Sequence, residues 1–233
     1  MPENLLPIIS ATSARHQSRS YFVDALGKRL PSVSTILNAT KPAEDREALR
    51  QWRQRVGYTE ANRIAGQASR RGTKTHSYLR NYLLGNDVDC PEAAQPYWHS
   101  LEPVLKHLDN IRLIEGAVFH YDLGYAGRID CIASYRGVPC VVDWKTSDRP
   151  KETVQRLYDN PLQLAAYCGA ANHVYSDHDI QLKEAVLINA VPGQEAEVFW
   201  FDADTLRGYW HQWTIRVQEF YRRVNRVYKE TSN

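Results

Sequence analysis

The chemistry of this chain is concentrated between residues 127 and 146. Gly127-Arg128-Ile129-Asp130-Cys131-Ile132-Ala133-Ser134-Tyr135 and Val138-Pro139-Cys140-Val141-Val142-Asp143-Trp144-Lys145-Thr146 are two β-rich runs separated by Arg136-Gly137, the pattern of a hairpin closed by a two-residue turn. In that register Tyr135 opposes Val138, Asp130 opposes Asp143 and Arg128 opposes Lys145. Opposed side chains stand about 4.5–5.5 Å apart at Cβ, close enough for two carboxylates to share a cation. Lys145 follows Asp143 by two residues and projects from the same face, while Cys131, Ala133, Cys140 and Val142 form an opposite face suited to burial. Two carboxylates at this spacing repel and require a positive partner. Arg128 and Lys145 alone would make a salt-bridge patch, a divalent cation would make a metal site, and a longer loop would slip the register and part the aspartates.

The elements that must position these groups follow from hydrophobic periodicity. From Ala43 to Val56, Leu49, Trp52 and Val56 repeat as an apolar stripe and Arg46, Arg50 and Arg53 as a basic one, the pattern of an amphipathic helix. A second helix is expected over Glu60–Leu84, where Arg63, Arg70, Arg71 and Lys74 surround Gly72. Gly72, His76, Leu79 and Leu83 share its inward stripe, so His76 is either a core histidine or a ligand, and Gly72 leaves room for close approach of a backbone or a metal site. A third helix over Ala93–Leu108 buries Trp98, Leu101, Leu105 and Leu108. Arg112–Tyr121 reads as a strand with Glu115 near its start, a carboxylate that belongs to the surface or to the site.

Asn160 as N-cap and Pro161 at the first position open a further helix, on which Gln163 and Tyr167 share a face. Glu184–Ala190 and Ala196–Phe201 read as strands. Asp202 or Asp204 then caps a long helix with Leu206, Trp210, Trp213, Val217, Phe220 and Val224 as its core stripe. At the other end, Tyr21–Val23 and Leu30–Val33 form a small hairpin after an irregular, flexible N-terminal arm of twenty residues. Helices and strands in this order imply an α/β domain over 21–233, a mixed central sheet flanked by helices, with a helical region near 40–110 preceding a core over 111–233.

Composition narrows the class without deciding it. The 233 residues carry 29 Lys and Arg against 27 Asp and Glu, a net charge of +2, so binding to a polyanion has to come from local clusters such as the arginine stripes. The four cysteines show no C-x-x-C spacing, which argues against a zinc knuckle or a disulfide scaffold and fits a reducing compartment. No run approaches the roughly 18 apolar residues of a membrane span. A glycoside hydrolase, which sets its carboxylates about 5–9.5 Å apart around a sugar, has no need of the adjacent lysine.

Taken together, Gly127–Asp130, Asp143-Trp144-Lys145, Gln163 to Tyr167, and Gly72 with His76 resemble the motifs of the PD-(D/E)XK nuclease superfamily and its RecB-like exonucleases. The runs Cys140–Ser147 and Asp159–Gln163, with Ala166-Tyr167, are similar to the mitochondrial genome maintenance exonuclease family. A lone D-x-K is a weak signal, whereas several motifs in order are a strong one. The resemblance implies a Mg²⁺-dependent, or Mn²⁺-dependent, exonuclease of single-stranded DNA. Asp130 and Asp143 would be its central metal ligands, joined by His76 and the Trp144 carbonyl, with Glu115 holding a second metal or orienting water. Lys145 would remain an ammonium that orients the nucleophile, and Gln163 and Tyr167 would contact phosphate. Arg46, Arg50, Arg53, Arg70, Arg71 and Lys74 would form a phosphate track, with Tyr58, Tyr78 and Tyr82 as stacking platforms. A non-catalytic single-strand-binding module on the same fold is the alternative. The resemblance also implies DNA replication or repair proteins as partners and a bacterial, cytoplasmic setting, or else a mitochondrial one.

Overall fold

A computed structural model describes residues 4–231. Among these residues eight strands form two sheets. The larger contains β4 (Leu108–His120), β5 (Tyr125–Tyr135), β6 (Val138–Thr146), β7 (Glu184–Ala190) and β8 (Glu197–Phe201), in that spatial order. The β6–β7 pair is parallel and the others are antiparallel, so the sheet is mixed as expected. A parallel pair needs a crossover, and the connection from β6 to β7 contains helix α5 (Asn160–Val174).

Each face of this sheet is covered by helices. On one side α5 packs with α6 (Ala203–Thr231) and α1 (Val33–Ala39), burying Leu164, Ala170, Trp213, Val217 and Phe220. Asp202 caps α6 by accepting the Thr205 N–H at 2.8 Å, one of the two residues expected to do so. Arg216 of α6 ties this layer together, donating to Thr40 Oγ1, to the Leu37 carbonyl and to Asp159 Oδ1 just ahead of α5. The opposite face is covered by α4 (Gln95–Leu105) and the C-terminal part of α3 (Tyr58–Leu83), with Leu79, Leu83, Trp98 and Leu101 against Cys131, Cys140 and Val142. No helix among the described residues is long and apolar enough to cross a membrane.

Several expectations are corrected. Within the first twenty residues, Ala11–His16 is strand β1, paired with β2 (Arg19–Asp24), which in turn pairs with β3 (Arg29–Pro31). Leu6 is buried, and its N–H donates to the Arg112 carbonyl at 2.7 Å. The polar side chains that read as an irregular arm decorate a small half-exposed sheet; residues 1–3 of that arm lie outside the described residues. Helix α4 stops at Leu105, and Leu108 already belongs to β4, since the apolar repeat continues across the boundary. Asp159, not Asn160, occupies the N-cap of α5, without a side-chain capping bond, and Asn160 is already helical.

The largest correction concerns α2 (Ala43–Val56), which buries no residue. Leu49 is 41% exposed, and Trp52 and Val56 are only half-buried. Helix α3 buries only Ala61 in its first half and gains its core contacts from Thr75 onward. The pair α2–α3, joined at Gly57 with φ +86°, is therefore a solvated helical arm rooted near residue 71. Periodicity identified the helices, but their apolar stripe has no sheet to cover.

Gly169 of α5 lies directly under the Trp210 indole, inside van der Waals contact of any added Cβ. The Gly169→Ala variant should lose roughly 1–3 kcal/mol of stability through overpacking, read as a lower urea midpoint with an unchanged slope.

Candidate active site

The geometry begins where the hairpin ladder ends. Strands β5 and β6 pair in the expected register, from Tyr135 opposite Val138 to Cys131 opposite Val142, and no further. Beyond that point β5 stays with β4 as far as the Tyr125–His120 pair, while β6 stays with β7 as far as Thr146–Ala190. The two strands fork, and Asp130 and Asp143 stand at the fork's mouth. The Trp144 N–H, released from the β5 ladder, donates to Asp130 Oδ2 at 3.0 Å. Arg128 consequently does not oppose Lys145 as expected; it pairs across β4 with Ala117, and its guanidinium donates to the Glu115 carbonyl at 3.2 Å.

A second irregularity faces the fork from β4. Leu113 and Val118, five residues apart, lie in the same core layer, as do Ile129 and Ile132, three apart, whereas alternation would put them on opposite faces. The alternation of both strands slips at Glu115 and Asp130, the one pair missing from a register that runs from Leu113–Ile132 to His120–Tyr125; the shift of register itself lies earlier, between Asp109 and Leu113. Glu115 has φ +53°, a left-handed conformation that costs a residue with a Cβ about 1–3 kcal/mol and gathers at functional sites. The slip turns both carboxylates toward α3. There His76 Nδ1 lies 3.5 Å from Asp130 Oδ2 and 3.8 Å from Glu115 Oε1. One donor atom from each of His76, Glu115 and Asp130 fits within a 4.8 Å group. Glu115, which the sequence left between surface and site, is thus brought to the centre.

Asp143 faces differently. It is 2% exposed, and Lys145 Nζ lies against its Oδ2 as an ion pair. Burial pushes the Asp143 carboxyl up to about 6, although Lys145 works against this. Burial would also depress Lys145, but Asp143 and Asp130 outweigh it and hold the ammonium charged. For Asp130, burial is outweighed by His76, Lys145 and the Trp144 N–H, and its carboxyl stays below the usual range. His76 shows the same contest: burial lowers it, and the carboxylates of Asp130 and Glu115 raise it to about 10. A protonated imidazole wedged between two carboxylates occupies the electrostatic role of a cation. The donor set of one imidazole and two carboxylates within reach of one another, with the buried Asp143 carboxylate beside them, fits a divalent metal ion.

The surroundings sort the remaining expected residues. Gln163 Nε2 donates to the Tyr167 hydroxyl at 2.7 Å, and burial raises that hydroxyl well above its ordinary value. Gly127 makes room for the Tyr167 ring, which a Cβ would meet at 2.5 Å. Gly72 faces Thr146 across the junction of α3 with β6. A cleft of about 470 Å³ opens above His76, Glu115 and Asp130, and its wall includes Ser77 and Arg80. Arg80 was not anticipated, although its i, i+4 relation to His76 puts both on one helical face.

The basic residues divide. Arg46, Arg50 and Arg53 line one shallow hollow with Leu49 and Tyr58, and Arg50 also pairs with Glu47. Arg70 and Lys74 are exposed on α3. Arg71 is not part of an outward track: it is turned inward, its Nη1 2.6 Å from Asp148 Oδ1. Tyr78 and Tyr82 pack on Trp98 at ring centroid distances of 5.0 and 4.6 Å. Of the three expected stacking platforms, Tyr58 alone has no ring packed against it among the described residues, and it is 59% exposed.

Carboxylates this crowded, beside an ammonium and at the foot of a basic arm, suit a polyanion whose esters are to be cut, so fold and site together define a nuclease. The chain belongs to the PD-(D/E)XK nuclease superfamily, whose family model matches residues 91–226. It is similar to the mitochondrial genome maintenance exonuclease 1 of Xenopus tropicalis, 34% identical over 202 residues, which cover 82% of this chain and 57% of that protein. The proteins of the same name from Mus musculus and Homo sapiens are each 32% identical across 82% of this chain and 59% and 58% of their own length. The chain therefore spans less than two thirds of these relatives. A crystal structure of an exonuclease candidate from Eubacterium rectale overlays with a TM-score of 0.46 at 13% identity, covering 65% of this chain and 66% of its own, too distant to carry an argument.

The Gly127→Ala variant should displace Tyr167 and reduce nuclease turnover about 100-fold, the scale of a 1 Å misplacement. Combined with Tyr167→Ala, it should cost far less additional stability than it does alone, measured as a double-mutant cycle by chemical denaturation.

Proposed function

We propose that the protein is a divalent-metal-dependent exonuclease of single-stranded DNA, acting in DNA replication, repair or recombination. The observation that carries this reading is the convergence of His76, Glu115 and Asp130 at the root of the helical arm. His76, Asp130 and Glu115, with Asp143 and the Trp144 carbonyl, would hold Mg²⁺ or Mn²⁺. When bound, the ion supplies positive charge that offsets the charge building on the phosphorane-like transition state.

The chain's own groups do the rest. Lys145, kept protonated by Asp143 and Asp130, orients the attacking water and stabilises a non-bridging oxygen; it is not the general base. The water oxygen bonds to phosphorus as one bridging P–O bond breaks; the water gives up a proton to solvent, and the departing sugar oxygen takes one up from solvent. Gln163 and Tyr167 fix the phosphate from the α5 side, where their mutual hydrogen bond restricts both.

The arm supports a single-strand preference. Arg46, Arg50 and Arg53 share a hollow with the exposed Tyr58, a pairing of cations with an aromatic face that suits backbone phosphates and an unstacked base. Arg70 and Lys74 extend the basic path along α3 toward His76. Three relatives are named exonucleases of mitochondrial genome maintenance, which supports DNA as substrate and a mitochondrial setting as the counterpart of a bacterial, cytoplasmic one.

The Lys145→Ala variant should lose cleavage of end-labelled single strands by at least about 100-fold in Mg²⁺ while still retarding the same strand in a binding gel; full activity would overturn the assignment. Linear single strands should be degraded and covalently closed circles spared, and chelator should abolish degradation of the linear strands. Cleavage of circles would exclude a requirement for a free end.

A further inference from the structure

Helix α3 belongs to two bodies. Up to residue 70 it is part of the solvated arm, and from Thr75 it packs on the sheet with Leu79 and Leu83. His76 sits one turn beyond the changeover. Its carboxylate partners, Glu115 and Asp130, are fixed in the sheet. The spacing between His76 and those carboxylates therefore depends on what holds α3 down at its point of departure.

The group at that point is Arg71. Its Nη1 lies 2.6 Å from Asp148 Oδ1, its Nε lies 3.4 Å from Thr146 Oγ1, and its guanidinium lies 5.1 Å from the centroid of the Tyr97 ring. The Tyr97 hydroxyl donates to the same Asp148 oxygen at 3.1 Å. Asp148 follows Lys145 by three residues, on a loop that is itself anchored. Glu197 of β8 accepts the N–H groups of Lys151 and Glu152 at 2.7 and 2.6 Å. Glu197 also accepts from the fully buried Asn189, which bonds Ser147 Oγ in turn.

We propose that the Arg71–Asp148 ion pair is a latch that positions His76 over the carboxylates, so that the loop after Lys145 and the histidine helix are set in one arrangement. The inference rests on the metal-site reading given above and assigns Arg71 and Asp148 as positioning residues of that site. Neither touches the reacting atoms. A surface ion pair is ordinarily worth little, but Arg71 is largely buried, with 16% side-chain exposure, and stacks on a ring. Its rigid fork meets Asp148 and Thr146 together, a geometry that lysine cannot reproduce.

The test is Mn²⁺ binding to the full chain by isothermal titration calorimetry, with amide exchange over residues 71–80 and thermal melting in chelator as companion readings. Asp148 is 71% exposed at its side chain, so Asp148→Asn should melt as wild type in chelator. It should bind Mn²⁺ about 10-fold or more weakly, the scale of losing an outer support of a ligand, and exchange amides faster around His76. The Arg71→Ala variant should behave alike, and the Arg71→Asp/Asp148→Arg swap should recover part of the affinity. Affinity within about twofold of wild type in both single variants overturns the latch. A loss of affinity matched by an equal collapse of the melting transition overturns it as well, making the pair merely structural. Absence of Mn²⁺ binding in the wild type overturns the metal reading, and the latch falls with it.

Discussion

The fork between β5 and β6 is the constraint on which the site depends. A strand can pair with two neighbours only while both follow its twist, and β6 keeps its parallel ladder with β7 through Thr146 at the expense of its antiparallel one with β5. Where the second ladder stops, the backbone N–H of Trp144 needs an acceptor. Asp130 provides it. The same opening buries Asp143 without closing it behind a ladder, and it leaves space for the Tyr167 ring over Gly127. Acidic side chains in a continuous sheet of this kind would either face solvent or be lost in the core.

Charge balance then decides how such a site persists. Five charged groups meet here in two sets, Lys145 with Asp143 and His76 with Asp130 and Glu115. Removing one partner from a buried pair leaves an uncompensated charge that costs about 3–5 kcal/mol, so the arrangement is self-enforcing. The two sets are not equivalent. Lys145 is on the same strand as Asp143 and arrives with it, whereas His76 comes from a helix that has to be docked. Strain at Glu115 belongs to the same balance: a left-handed φ in a strand is maintained because the slip it produces turns two carboxylates toward one imidazole.

What could be read from the residues was what local rules govern. Alternation and the Arg136-Gly137 turn gave the β5–β6 register to the residue as far as Cys131 and Val142, because hairpin register is set by its own loop. The end of that ladder was not legible, since it is caused by β7, about forty residues further on. Its neighbours left Glu115 between the surface and the site, because no feature of them announces a positive φ. His76 was legible as an inward residue from its stripe with Leu79 and Leu83, and the structure supplied the carboxylates. The stripe of Leu49, Trp52 and Val56 misled in the opposite direction: a 3.6-residue period establishes one apolar face, not that anything covers it. Arg71 was indistinguishable from Arg70 in sequence, and only the position of Asp148 separates them.

An arm with so little buried surface raises the question of what keeps it helical. Helix α2 has no core residue, so its order has to come from local terms. Glu44 and Asp45 stand in its first turn and Arg53 and Arg55 in its last, each favourable to the helix dipole. Glu47–Arg50 and, on α3, Glu60–Arg63 form i, i+3 pairs, each worth about 0.2–0.5 kcal/mol. These terms sum to little against backbone entropy of about 1–2 kcal/mol per residue. The arm therefore sits at the low-stability end of the molecule, where a segment opens independently of the core. Its charges gain more by meeting a polyanion than by meeting each other, because the intrahelical pairs are exposed and screened. A rigid site joined to a weakly held basic arm through one short stretch of α3 has its mechanical weak point at that stretch, where the buried guanidinium of Arg71 lies.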